Sequence, residues 1–419
     1  MACSLCVLCG LPSRPSRLKS LLLPDNSKDF DRSTLRLREV RKETPSISAP
    51  YTSTFYNGSV KTWDVIIVGG GIIGLSLAIE LHKRATTVLV LERGEPGREA
   101  SHAAAGMLAD HGDEFPAALA PLAKASALMY PEFVHELQDE SGTSVDLRDA
   151  GTILLHDGAA GSHGTLPGSL STLEPALVAA CRSVSYLEER SVSPRALTSA
   201  VLKTAKHHEL DISSGAEVTE ILVRDSRTSG VKTTKTTYHA GVVVNCAGAW
   251  SGQVRPLAFP TRPVKGQILS VIGGPPLRHV VRAPEVYLVP RSDGTIVIGA
   301  TIEEAGYDKR TIPETIQRLL HSATELIPSL EKARIHEAWA GLRPGTPDKL
   351  PILGETTMPG YFVATGHFRD GILLAPITAQ AMAELITGGK CTHNLLPFSP
   401  QRFASASEFL QASDQPVIF

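Results

Sequence analysis

From about residue 62 onward, short apolar runs alternate with stretches of mixed polarity, the pattern of strands and helices taken in turn. Asp64-Val-Ile-Ile-Val68 is short, continuous and β-branched, which predicts a strand buried on both faces. Glycines follow, and then a helical stretch from about Gly74 to Arg84. Thr87-Val-Leu-Val-Leu91 predicts a second strand that ends at Glu92. Strand, helix and strand in this order form a β-α-β unit, and the crossover implies a parallel sheet.

Further along, residues near 115–140 and 312–327 read as helices, and residues 150–156 and 216–224 as strands. Val242-Val-Val-Asn245 is another buried-strand pattern, followed by Cys246-Ala-Gly-Ala-Trp250. Val286–Val289 and Thr295–Ile298 flank Arg291-Ser-Asp-Gly294, a hairpin signal with Gly294 at the permissive turn position. Period-2 alternation then puts Tyr287 and Val289 on one face, and Val286 and Leu288 on the other. Tyr361–Ala364 predicts a last strand and Ile377–Thr387 a last helix.

Residues 1–60 differ in character. Residues 1–24 carry Arg14, Arg17 and Lys19 and no acid, while residues 25–60 mix charges with Ser, Thr and Pro without periodicity. They read as a disordered leader, a mis-assigned start or a transit peptide; the acids between Asp25 and Asp31 weigh against a clean targeting signal.

Composition narrows the class. A length of 419 residues suits two domains, and a net charge of -2 gives no broad attraction to nucleic acid. Val65–Ile79, an uncharged apolar run, falls short of the ~20 apolar residues of a membrane span. Cys3, Cys6 and Cys9 lie in the leader and Cys181, Cys246 and Cys391 are scattered, so neither a disulfide framework nor a zinc site is expected. A reducing compartment fits: the cytoplasm, or an organellar matrix if residues 1–60 are a transit peptide.

Gly69-x-Gly71-x-x-Gly74 carries the first chemistry. In the turn between a strand and a helix, the first glycine permits the tight turn and the second admits a pyrophosphate. The third lets helix and strand pack closely. The helix N-terminus then offers N–H groups to phosphate. Glu92, at the end of the second strand, is placed to accept hydrogen bonds from a ribose diol. The motif predicts a dinucleotide without choosing between NAD and FAD. The small run Ala103-Ala-Ala-Gly-Met107 either lies against a flat ring system or starts a tightly packed helix.

Gly341-Leu-Arg-Pro-Gly-Thr346 and Gly366-His-Phe-Arg-Asp-Gly371 each set an arginine in a glycine-flanked loop. A guanidinium fork there matches a carboxylate, although a solvated loop arginine has the same pattern. Taken alone, Tyr287 is more readily a core aromatic than a pocket residue, and His367 a structural residue than a catalytic one.

Together these segments resemble the D-amino-acid oxidase superfamily and, within it, the glycine oxidase family of thiamine biosynthesis. The resemblance runs from about residue 62 to 390. It is carried by Val68–Gly74, Ala103–Leu108, Trp339–Thr346 and Gly366–Pro376. It implies an α/β fold: a Rossmann-like FAD-binding domain interrupted by an α+β substrate domain with an antiparallel sheet. The FAD domain would comprise residues 61–145, 192–252 and 336–395, and the substrate domain residues 146–191 and 253–335, with residues 396–419 as a tail. Non-covalent FAD would be held by Gly69, Gly71, Ile72, Ile73, Gly74, Glu92, Arg93, Ala100, Ser101, Ala105, Gly106, Met107 and Val218. The loop His367, Phe368, Arg369, Asp370, Gly371, Ile372 and Leu373 would complete its site.

The resemblance puts Arg343 on the substrate carboxylate, Tyr287 in the pocket and Arg369 near it, as the catalytic set. It implies oxidation of glycine, sarcosine or D-alanine, with O2 reduced to H2O2. Glu285, Ile302 and Asp370 stand where histidine, methionine and asparagine are usual, which bears on substrate preference. A D-amino acid or sarcosine oxidase or dehydrogenase is the neighbouring alternative. Sarcosine oxidases attach flavin to a cysteine, and Gly341 occupies that position here. A non-catalytic flavin-binding assembly factor is the remote alternative, against which Arg343 and Tyr287 argue. A homo-oligomer is left open.

Overall fold

The computed structural model describes residues 61–110, 115–157, 164–179 and 182–403. The chain divides into residues 1–59 and residues 60–419. The leader, Cys181 and the tail beyond residue 403 lie outside the described residues.

The predicted β-α-β unit forms as Val65–Val68 (β1), Ile72–His82 (α1) and Val88–Glu92 (β2). β1 and β2 pair in parallel, and the strand Val242–Asn245 pairs in parallel on the other side of β1. A six-stranded sheet results, closed at one edge by the antiparallel strand Ile352–Glu355. Its continuous apolar strands are explained by burial on both faces. Val65 and Ile67 pack with α1 and the helix Ala375–Gly388, while Ile66 and Val68 pack with Val218, Ile221 and Val231 of a three-stranded sheet.

A second, seven-stranded sheet holds the predicted hairpin, as Tyr287–Pro290 and Ile296–Gly299. Gly294 takes φ +82°, a left-handed value that suits glycine. The predicted alternation holds: Val286 and Leu288 pack under the helix Pro313–Leu326, while Tyr287 and Val289 share the opposite cluster. All strand pairs in this sheet are antiparallel except one, between Thr152–His156 and Val280–Arg282.

Its two longest strands, Arg262–Ile272 and Arg334–Gly345, were not expected from the pattern, because charged residues and glycines break their alternation. Arg343 therefore lies on a strand, in register with Val264, and not in the predicted glycine-flanked loop. The glycines there serve close approach and not turning. A Cβ on Gly341 would lie 2.4 Å from the Ala103 Cβ, and one on Gly345 2.8 Å from Val264 Cγ2. Among the described residues, no helix is long and apolar enough to cross a membrane.

Candidate active site

One cavity of about 1040 Å³ runs between the two sheets and gathers most of the residues singled out by the sequence. Its nucleotide end is built by the β1–α1 turn. Gly69, Gly71, Ile72 and Ile73 line it. Gly69 adopts φ +108°, and a Cβ there would sit 2.4 Å from the Cys246 carbonyl oxygen. Gly74 faces away from the cavity; its added Cβ would lie 2.1 Å from the Gly69 oxygen, so it joins helix to turn. Gly71 differs: an added Cβ would meet only Ser101 Oγ, at 3.4 Å, because the space in front of it is the cavity. These are the three roles expected of a dinucleotide turn, and the cradle fits such a ligand.

Glu92 is buried at the floor of this end. Its carboxylate accepts the N–H of Gly70 and that of Gly94, both at 2.8 Å. The acid thus holds the turn as well as facing the cavity, and its remaining lone pairs are open to a diol. Ser101 Oγ accepts the Ile72 N–H at 2.9 Å, so a side chain from a later segment satisfies part of the helix start. Arg93 stacks on Trp250, 3.5 Å from the ring centroid, and pairs with Glu99. Ala100 and Val218 complete this wall.

The middle of the cavity is lined by Ala105, Gly106 and Met107 from one side and by His367 to Ile372 from the other. The small-residue run is neither wholly helix nor loose: Ala103 ends a one-turn helix and Met107 starts a two-residue strand. Gly106 has φ +80° and lies against the Val192 carbonyl. Trp339 Nε1 donates to the Ala103 carbonyl at 3.0 Å, and Arg291 donates to the Ala105 carbonyl. His367 is buried and its Nε2 faces Thr378 Oγ1 at 3.2 Å. Burial pushes its pKa down to about 3, so it is neutral at neutral pH. Asp370 is the reverse case: burial pushes its carboxyl up to about 7, against the pull of Arg369 and Arg282. Leu373 does not line the cavity; its side chain sits in the helix-side core.

Arg343 and Tyr287 meet at the far end. Their side chains lie within electrostatic reach of each other, and burial holds the Tyr287 phenol above its ordinary pKa, hence neutral. Each rests on a glycine of a neighbouring strand. A Cβ on Gly266 would lie 2.4 Å from both Nη atoms of Arg343, and one on Gly299 2.5 Å from the Tyr287 hydroxyl. Arg369 is exposed, lies over Phe368, and its charge reaches both Tyr287 and Asp370. A partly buried guanidinium beside a neutral phenol offers several N–H and O–H donors, the complement of a carboxylate.

Sequence reasoning missed several wall residues. Gly266 and Gly299 had no motif to mark them. Trp250 and Arg282 also line the cavity, and Arg282 faces the buried Glu189 at 3.3 Å. The Cys246-Ala-Gly-Ala-Trp250 segment after a buried strand was the available signal for Trp250. Glu285 and Ile302 stand at the exposed rim of the cavity, and Glu285 pairs with Arg182 at 3.1 Å.

A family model described as FAD dependent oxidoreductase matches residues 64–385. The bifunctional protein ThiO/ThiG of Trichormus variabilis is 35% identical, over 85% of this chain and 57% of its own length. The chain therefore spans a little over half of that relative. Glycine oxidase of Geobacillus kaustophilus is 35% identical over 81% of this chain and 97% of its own. A crystal structure of glycine oxidase from that organism superposes with a TM-score of 0.75 at 33% identity, covering 81% of this chain and 99% of the other.

Proposed function

The chain belongs to the family of FAD dependent oxidoreductases, and we propose that it oxidises the amine of glycine or a small relative such as sarcosine or D-alanine. Electrons would pass to O2, giving H2O2. The observation that carries this reading is the Arg343–Tyr287 pair, set on the wall of the same cavity that ends in the dinucleotide turn.

FAD would lie along that cavity. Its pyrophosphate would face Gly69 to Ile73, its ribose Glu92, and its ring system the walls Ala105–Met107 and His367–Ile372. The six-stranded sheet with its helices would be the FAD domain and the seven-stranded sheet the substrate domain. When bound, the flavin supplies the two-electron acceptor that the polypeptide lacks. Arg343 and Tyr287 would bind the substrate carboxylate through parallel donors and so fix the direction of its Cα–H. Gly266 and Gly299 let the two donors lie flat against the sheet. Neutral His367 adds no charge to the wall beside Phe368. Gly341 leaves no room for a side chain next to Ala103, which supports non-covalent flavin.

The imine product hydrolyses to a 2-oxo acid and ammonia, or methylamine from sarcosine, or supplies thiazole synthesis, in keeping with the likeness to ThiO/ThiG. Oxygen uptake and peroxide release by the purified, flavin-loaded protein should appear with glycine, sarcosine or D-alanine. Flavin bleaching by these amines without oxygen uptake would replace the oxidase reading with a dehydrogenase. Absence of both would leave the assembly-factor reading.

A further inference from the structure

Among the described residues, Arg343 has no counter-ion within ion-pair distance. Its Nη1 donates to the carbonyl oxygens of Thr301, at 3.1 Å, and Lys265, at 3.4 Å. The carboxylate whose charge reaches Arg343 is Glu303. Glu303 is tied down by its own neighbours. Its Oε1 accepts from Gln267 Nε2, at 2.8 Å, and from Thr301 Oγ1. Its Oε2 lies 3.9 Å from Nζ of Lys265, whose side chain is 1% exposed. The backbones of Lys265 and Glu303 exchange two hydrogen bonds of 2.9 Å each, which fixes the two side chains to one spot.

A buried lysine is costly, and such a group is expected to have a partner whose charge it balances. Lys265 also lies within Coulombic reach of Asp308, but that carboxylate is half-buried and is bound by Arg310. The partner left to it is Glu303. The arrangement divides the charges of this sheet edge: Lys265 answers Glu303, and Arg343 is left positive toward the cavity.

We infer that the buried Lys265–Glu303 pair is a charge-balancing, positioning device that reserves the Arg343 guanidinium for the substrate carboxylate. Without Lys265, the Glu303 carboxylate competes with the substrate for the field of Arg343. The device acts through Arg343, so it rests on the carboxylate role proposed for that residue.

Acetate, the minimal carboxylate, is the probe: its Kd for the FAD-loaded protein is measured by titration calorimetry, alongside KM for glycine. Lys265→Met raises the acetate Kd roughly tenfold, as expected for an unshielded like charge a few ångströms from the anion, and KM follows it. Glu303→Gln keeps an acceptor oxygen, removes the charge and tightens acetate. Lys265→Met combined with Glu303→Gln returns the Kd to near the wild-type value, which loss of structure alone does not produce. Wild-type acetate binding in Lys265→Met, or weaker binding in Glu303→Gln, overturns the inference. Should Lys265→Met fail to fold, Glu303→Gln decides alone. Arg343→Ala in the same titration separates the two levels. If it still binds acetate normally, the carboxylate role of Arg343 fails first.

Discussion

The two ends of the cavity are built in opposite ways. At the nucleotide end, residues 65–92 supply strand, turn, helix and acid within one continuous stretch, and the contacts offered are mostly backbone. At the Arg343 end, Tyr287, Gly299, Gly266 and Arg343 come from four strands of one sheet, and the contacts offered are side chains seated on glycines. Backbone recognition needs few residue types and survives as a readable motif. Side-chain recognition depends on which strands are neighbours, and leaves only scattered letters in the sequence.

The comparison breaks most visibly in the glycine turn. Gly74→Val puts a side chain where even a Cβ lies 2.1 Å from backbone oxygen, and should yield no soluble folded protein on expression. Gly71→Leu has room to fold, because only Ser101 Oγ is near, but fills the cradle. It should give a cooperative melt and a colourless solution, with no visible flavin absorbance. A yellow Gly71→Leu protein would falsify the placement of the pyrophosphate.

At the other end the expected losses are catalytic. With Arg343 in its proposed role, Arg343→Ala leaves the substrate carboxylate without its main partner, a change of about 3–5 kcal/mol for a buried pair. Steady-state kinetics should show kcat/KM for glycine down on the order of 100- to 1,000-fold or more, with FAD occupancy unchanged. Arg343→Lys should recover part of this, since an ammonium cannot present two parallel donors. Gly299→Ala is a smaller test of the seat: its Cβ would lie 2.5 Å from the Tyr287 hydroxyl and displace it. A rise in KM of roughly tenfold, about 1.4 kcal/mol, is expected. An unchanged KM would remove Tyr287 from substrate binding.

The smallest effect lies between the two ends, at His367. Its folded pKa of about 3 is below the ordinary 6.5, so the unfolded chain binds the proton more readily. The stability tied to neutral His367 is full above pH 6.5 and is lost as pH falls toward 3. His367→Gln should therefore melt with a shallower dependence on pH between 7 and 5 than the wild type, by scanning calorimetry. Parallel pH profiles would show that His367 does not titrate as buried.

Much of the nucleotide half was legible in advance. β-branched continuity predicted β1 and β2, and glycine spacing predicted the turn between them. The hairpin around Gly294 and the facing of Tyr287 were legible too, because alternation has a period of two whatever the sheet around it. Arg343 was picked out as a loop residue and lies on a strand. Glycines at 341 and 345 signal a turn when read along the chain, and a close approach when read across it to Ala103 and Val264. The strand Arg262–Ile272 was missed because Lys265 and Gln267, polar in sequence, are 1% and 0% exposed in the fold.

By itself, then, the sequence determined what local geometry dictates: the parallel β-α-β unit, the glycine turn within it, and the set of arginines and aromatics from which a site could be drawn. Only the tertiary structure decided which of them share a cavity and which glycines seat them. It also decided that a lysine buried among strands answers Glu303 and leaves Arg343 its charge. Backbone turns are set by residues adjacent in the chain. The field around a buried guanidinium is set by charges brought within a few ångströms by strand pairing, and no spacing along the chain encodes that distance.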